Sequence, residues 1–256
     1  MTACLGDIQS LCNQFAPANE ELFQQRALLQ RIDRKYILHQ SRLPALLDSL
    51  REHYAIAPAP NDNIAHYQNQ YFDTTEYLFL REHHRGRRPR YKIRIRHYGD
   101  RQISMLECKR KSATNLTIKS RVRIPFSSTA LSDHNDFISE HSPIPCEDLH
   151  PGINNQFQRI SLLGLAHDER VTLDIDVQLQ LGERCHHLSE CVIVETKRHP
   201  LVRHSFLNTK LRNVRAYPLS ISKYCTAGFF LLPEVPMKLY RPKMRLLRKI
   251  LHDRAI

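Results

Sequence analysis

The side chains best able to do chemistry in this sequence are lysines, arginines and carboxylates recurring at every second position. Tyr91–His97 sets Lys92, Arg94 and Arg96 against Tyr91, Ile93 and Ile95. Met105–Lys111 sets Glu107, Lys109 and Lys111 against Leu106 and Cys108. Thr117–Ile124 sets Lys119, Arg121 and Arg123 against Ile118, Val122 and Ile124. Arg31–Leu38 gathers Arg31, Asp33 and Lys35 on one side, and Cys191–His199 gathers Glu195 and Lys197. Arg170–Leu181 sets Arg170, Thr172, Asp174, Asp176 and Gln178 against Val171, Leu173, Ile175, Val177 and Leu179. Residues at i, i+2 and i+4 of a strand share a face, so each segment predicts a strand with one apolar and one charged face.

Such a face does one kind of chemistry well. Arg offers a planar fork to phosphate oxygens and Lys a compact point charge. Carboxylates among them suit a divalent ion that bridges phosphates. The plainer alternative is an antiparallel sheet with one solvated face. The density of Arg and the repeated E-x-K favour a closed barrel with its charges inward and helices over the apolar outside. Cations confined in a lumen call for a polyanion. No H-E-x-x-H spacing occurs, so His66, His83, His84, His97, His186 and His187 read as surface or loop residues.

The elements positioning these faces follow from spacing. A helix fits Pro44–Tyr54, with Leu43, Leu46, Leu47 and Leu50 at helical intervals, and a short one fits Asn19–Gln30. Tyr67–Asp73 and Gly152–Leu163 read as further strands, the latter carrying Arg159; Thr75–His84 reads as a short helix or crossing. Gly182–Ser189 is expected as a hairpin connection, and Leu201–Arg215 as a helix with Leu201, Phe206 and Leu211 toward the core. Residues 1–26 form an N-terminal extension, 27–228 the main domain and 229–256 a basic tail, readable as a surface helix, a partner helix or a peripheral membrane anchor.

Composition bounds the rest. In 256 residues, 38 Lys and Arg face 26 Asp and Glu, a formal charge of +12, with a pI near 9.5. At 41% hydrophobic residues the chain can fill a core, which excludes a disordered class. No apolar run approaches the ~20 residues a membrane helix needs. The start lacks a signal peptide's basic residues, and seven Cys without C-x-x-C pairs argue against a disulfide framework and a zinc finger. The expected setting is a cytoplasmic, reducing one, at most peripheral at the inner face of a membrane. Nucleic acid ranks last as the polyanion, because the chain has no Trp and its Arg alternate toward an interior.

The order R-I-D-R-K-Y, YFDT, R-Y-K-I-R-I-R-H-Y, L-E-C-K-R-K, R-V-T-L-D, V-E-T-K and S-K-Y, spanning Arg31 to Gly228, resembles the VTC domain. That is the polyphosphate polymerase domain of the vacuolar transporter chaperone family, within the triphosphate tunnel metalloenzymes of the CYTH-like superfamily. The resemblance implies an α+β fold, an eight-stranded antiparallel β-barrel with a charged lumen and helices packed outside. It implies transfer of the γ-phosphate of ATP to a growing inorganic polyphosphate chain, with Mn²⁺ or Mg²⁺ as cofactor. Lys35, Arg94, Arg96, Lys109, Arg170 and Glu195 would be catalytic. Lys35, Arg94, Arg96, Lys109, Lys119, Arg159, Arg170, Lys197 and Lys223 would bind phosphate, and Glu195 with Glu107 would hold the metal.

Two departures stand out. The superfamily's E-x-E-x-K start is Arg31-Ile32-Asp33-Arg34-Lys35 here, which disfavours water activation, and Phe157-Gln158-Arg159 replaces Y-x-R. Partners implied are ATP and polyphosphate, with a separate membrane protein needed for any coupling to transport. A metal-dependent triphosphatase and a non-catalytic polyphosphate-binding module are the alternative functions.

Overall fold

The alternating segments do form strands, because β-branched and apolar residues on one side find a core while the charged side stays apart. The computed structural model describes residues 5–27, 31–60, 62–114, 116–201 and 205–252. Its helices are α1 (Leu5–Cys12), α2 (Glu20–Gln25), α3 (Leu43–Leu50), α4 (Leu78–Arg85), α5 (Asn135–His141), α6 (Phe206–Asn213), α7 (Lys223–Leu231) and α8 (Arg241–His252). Its strands are β1 (Ile32–His39), β2 (Tyr54–Ile56), β3 (Ala65–Asp73), β4 (Arg90–Tyr98), β5 (Ile103–Lys111), β6 (Thr117–Ile124), β7 (His150–Gly164), β8 (Glu169–Leu181), β9 (Arg184–Leu188), β10 (Cys191–Arg198) and β11 (Tyr217–Pro218). Parts of three expected segments, 28–30, 202–204 and 253–255, lie outside the described residues.

All ladders are antiparallel, in the order β11-β1-β10-β8-β7-β3-β4-β5-β6, with β2 on β7 and β9 on β8. The eight long strands are the expected eight; β2, β9 and β11 are short additions. Among the described residues no ladder joins β6 to β1 or β11. Yet Lys35 of β1 and Lys109 of β5 line one cavity, so the sheet curls until its two ends face each other around a charged lumen.

Outside, Leu43, Leu46, Leu47 and Leu50 of α3 and Leu207 and Leu211 of α6 pack on Leu38, Leu173, Val192 and Val194. Ile138 of α5 and Phe79 of α4 cover Ile93, Ile95 and Leu106. One helix departs from the outside-only expectation. Tyr224, Cys225, Ala227 and Leu231 of α7 cluster with Ile37, Ile193, Val177 and Leu179. Ile37 and Ile193 stand two residues from Lys35 and Glu195, on the same face of β1 and β10, so α7 fills the apolar half of the lumen. It passes close to α4: a Cβ on Gly228 would stand 2.7 Å from Leu80. Met244, Leu247 and Ile250 of α8, in the basic tail, are buried in the same cluster.

Three expectations need correction. The expected face of β8 holds only as far as Asp174. Asp176 adopts φ 51°, and the β7 partners step from Gln158 to Gln156 while β8 steps from Ile175 to Gln178. That extra residue is a bulge, so Val177 and Leu179 turn to the lumen side and Gln178 turns out. The Gly182–Ser189 connection contains a strand, β9. Leu201 is 82% exposed, because α6 begins only at Phe206, where the Ser205 side chain caps Asn208 N and Glu169 accepts from Phe206 N. Helical spacing from there directs Leu207 and Leu211 inward.

Candidate active site

Three carboxylates on the lumen face each sit between two cations. Glu107 of β5 accepts from Arg94 Nε and Nη2 of β4 at 2.8 and 2.7 Å and pairs with Lys119 of β6 at 2.5 Å. Asp174 of β8 accepts from Arg159 of β7 at 2.6 and 2.8 Å, and from Lys223 of α7. Glu195 of β10 accepts from Lys197 at 2.7 Å and lies 3.7 Å from Lys35 of β1. Ladder register creates these groups: Arg94 pairs with Glu107, Arg159 with Asp174 and Lys35 with Glu195. Burial pushes the Glu107 carboxyl up, but Arg94, Arg96 and Lys119 outweigh it and hold it at about 2. Against the same burial, Arg159 and Lys223 hold Asp174, and Lys35 and Lys197 hold Glu195, well below the usual range. Each group therefore carries a net positive charge with its anion fixed.

Other cations have no carboxylate within ion-pair distance among the described residues. Lys92 and Lys109 face each other in register, and a cavity of about 930 Å³ is lined by both, with Lys35, Asp33, Glu195 and Ser222. Lys92 Nζ donates to Ser222 Oγ at 2.9 Å, and burial lowers its pKa. Lys109 is lowered to about 8 by burial and by Lys92 and Lys35. Its side chain reaches into the open lumen, so that shift is the more screened. Lys223 is lowered to about 8 as burial and Arg159 prevail over Asp174. Arg96 is buried; its Nε donates to Asn69 at 2.7 Å and its guanidinium lies 5.2 Å from the Tyr67 ring.

Of the residues expected at the site, the cavity gathers Lys35, Lys109 and Glu195. Arg94, Arg96, Glu107, Lys119, Arg159, Arg170 and Lys197 share that face of the sheet farther along it, and Lys223 comes from α7. Sequence reasoning passed over Lys92, although it belongs to the same K-x-R-x-R alternation as Arg94 and Arg96. It also placed His83 at the surface. His83 instead bonds through Nε2 to the Tyr91 carbonyl at 3.0 Å and lines the cavity, held neutral by burial and by Lys92 and Arg90.

The S-K-Y segment sends three consecutive side chains to three places. Ser222 receives Lys92, Lys223 reaches Asp174, and Tyr224 Oη donates to Asp73. Asp73 also accepts from the backbone N–H groups of Thr74, Phe79 and Leu80, capping the first turn of α4 from a distance. Tyr71 stacks on Tyr224 at 4.6 Å and accepts from Arg94 Nη1 at 3.2 Å. Burial raises the Tyr71 pKa, but Arg94, Lys92 and Arg96 overcome it and bring the phenol to about 8. The YFDT segment thus ties α7 to the cationic strands.

Among the described residues, no group of three or more His, Cys, Asp or Glu side chains is placed to hold a metal ion. Mg²⁺-type ions are commonly held by one or two carboxylates plus substrate phosphates. Glu195 fits that pattern: its carboxylate is anionic, opens on the cavity and is neighboured by lysines that phosphates can recruit. Glu107 does not fit, since its side chain is 2% exposed and engaged by Arg94 and Lys119.

A family model, the VTC domain, matches residues 30–231. No curated protein matches the chain. Among solved structures, an adenylyl cyclase candidate from Hippeastrum, described as having a dominant triphosphatase activity, aligns with TM-score 0.51 and 15% identity over 82% of this chain and 99% of its own. An adenylate cyclase candidate from Bacillus halodurans aligns with TM-score 0.46 and 13% identity over 75% and 94%. At 15% identity the likeness to the Hippeastrum protein is one of fold alone. No helix among the described residues is long and apolar enough to cross a membrane.

Proposed function

Because the chain belongs to the VTC domain family, we propose that it is a polyphosphate polymerase, transferring the γ-phosphate of ATP to the end of an inorganic polyphosphate chain. The observation carrying this reading is the facing pair Lys92 and Lys109, with Lys35 beside the same cavity and no carboxylate bonded to either of the pair. Glu107 and Asp174 are each already shared by two other cations, so Lys92 and Lys109 keep their full charge where a polyanion has room.

Phosphoryl transfer needs positioning and charge neutralisation more than covalent help. A terminal oxygen of the acceptor chain attacks the γ-phosphorus, the bond to the β,γ-bridging oxygen breaks, and ADP leaves. Lys35, Lys92 and Lys109 draw the phosphates into the cavity. Arg94, held by Glu107 and Tyr71, presents a guanidinium that need not reorganise as charge shifts. Arg96 and Arg170 add charge along the same face, while Lys119, Arg159, Lys197 and Lys223 hold the chain. Glu195 would hold Mn²⁺ or Mg²⁺, which when bound would supply positive charge to offset the negative charge developing in the transfer.

The test uses purified protein, ATP and Mn²⁺ or Mg²⁺, with and without a polyphosphate primer, and gels stained for polyphosphate. Long chains that vanish in Glu195→Ala and Arg94→Ala support the polymerase. Free phosphate without chains would instead make it a triphosphatase, the activity described for the Hippeastrum protein of similar fold. Tight polyphosphate binding without turnover would leave a binding module.

A further inference from the structure

The 930 Å³ cavity changes chemistry as it crosses β1. On the lumen side stand Lys35, Lys92, Lys109 and Glu195. On the other side the same cavity is lined by Arg34, Tyr36, Asn208, Arg212, Ala216 and Pro218. Alternation along β1 points Lys35 to one face and Arg34 and Tyr36 to the other, so the cavity folds over the strand's edge. The crossing is open because β11 covers little of that edge. It pairs with β1 only at Tyr36 and Ile37, and the last contact is Leu219 N donating to Lys35 O at 3.0 Å. Toward Arg34 no strand covers the edge among the described residues.

This outer lobe is unlike a phosphate channel. Ala216 and Pro218 give it apolar surface. Arg34 and Arg212 have no carboxylate partner among the described residues, and a guanidinium plane stacks well on a heteroaromatic ring. Asn208 lines the lobe; its Oδ1 accepts from Tyr36 Oη at 2.7 Å, so the amide Nδ2 donors are not used in that bond. The whole cavity approaches the upper end of ordinary ligand pockets, roughly 300–1,000 Å³, which leaves room for more than a phosphate group.

We infer that this lobe, between β1, α6 and β11, binds the nucleoside of a nucleoside triphosphate whose phosphates enter the lumen. The inference rests on the proposed function, to which it adds where the donor's base and sugar lie. It makes Asn208 and Arg212 specificity-determining residues, able to separate a nucleotide donor from an inorganic triphosphate of the same charge.

The experiment measures the affinities of ATP, tripolyphosphate and long-chain polyphosphate by titration calorimetry, for the wild-type protein and for Arg212→Ala, Asn208→Ala and Ala216→Trp. Arg212 is exposed, so its variant keeps the fold, and melting curves check the other two. ATP affinity is expected to fall by about tenfold in each variant, with tripolyphosphate changed by less than about twofold, as for loss of one stacked or bonded contact. Equal losses for ATP and tripolyphosphate, or no loss for either, overturn the inference. Weakened long-chain binding with intact ATP binding also overturns it, making the lobe a path for the polymer. A wild-type protein that binds tripolyphosphate as tightly as ATP removes the nucleoside lobe but leaves the phosphate lumen standing. One that binds neither removes both.

Discussion

Lys92 and Lys109 stand in register on β4 and β5, two ammonium groups facing one cavity with no carboxylate bonded to either. In the unliganded protein this arrangement costs stability, since burial and neighbouring cations, Lys35 and Arg94 for Lys92, Lys92 and Lys35 for Lys109, disfavour the charged forms. Lys92→Met should therefore raise the unfolding free energy by roughly 1 kcal/mol, as replacing buried charge by apolar side chains often does. The same change should weaken polyphosphate binding by about 1.5–3 kcal/mol, the scale of a charged hydrogen bond. Urea unfolding and polyphosphate titration on one preparation check both. A variant that loses stability and keeps its affinity contradicts the assignment.

Acidity predicts a second opposition. Lys223 and Tyr71 are both brought to about 8, below their ordinary values, and Lys109 shifts the same way with more screening. Between about pH 8 and 10 the unfolded chain holds protons that the folded chain has released, so stability of the empty protein rises with pH through that window. Bound polyphosphate favours the protonated lysines, so affinity should fall across the same window while binding takes up protons. Melting curves from pH 7.5 to 9.5 at low salt test the first trend. Calorimetry in two buffers of different ionisation enthalpy tests the second.

The strands and their charged faces were legible because the pleat imposes a period of two that neither packing nor loops can disguise. Arg94, Lys109 and Glu195 could be placed on one lumen from that alone. Past Asp174 the reading failed because a single extra residue inverts every later side chain, and Asp176 at φ 51° has no glycine to announce it. The role of S-K-Y was hidden differently. Ser222, Lys223 and Tyr224 reach partners 130, 49 and 151 positions away, and no local period encodes such contacts. Even the nearest, Asp174, needed the curl of the sheet to bring it into reach. Lys92 was visible in the alternation, but its lack of a counter-ion appears only once Glu107 is seen to be taken by Arg94 and Lys119.

Glu195 separates binding from turnover. Glu195→Gln keeps the side chain's shape and releases Lys35 and Lys197 from their acceptor. Polyphosphate affinity without metal should hold or tighten, while turnover with Mn²⁺ falls by about 10²–10³, the range for losing one electrostatic contact to a transition state. Mn²⁺ titration followed by electron paramagnetic resonance, in the presence of tripolyphosphate, should show the ion's affinity falling with it. Unchanged ion binding would move the metal away from Glu195.

Asp73 should matter to the lumen without touching it. Its carboxylate receives three backbone N–H groups and the Tyr224 hydroxyl, and Tyr224 stacks on Tyr71, which in turn accepts from Arg94. Asp73→Ala strands those donors in a buried place and should cost about 2–4 kcal/mol of stability, the sum of a lost helix cap and an unsatisfied network. Tyr224→Phe removes one bond and should cost about 1 kcal/mol. Because the two residues share that bond, the double variant should lose less than the two single losses combined. Urea unfolding of the four proteins measures this coupling. Polyphosphate titration of Tyr224→Phe, which stays folded, then shows whether the latch acts on the site: with α7 loosened, Lys223 and Ser222 leave their partners and affinity drops. Additive losses and unchanged affinity would reduce Asp73 to a cap of α4 alone.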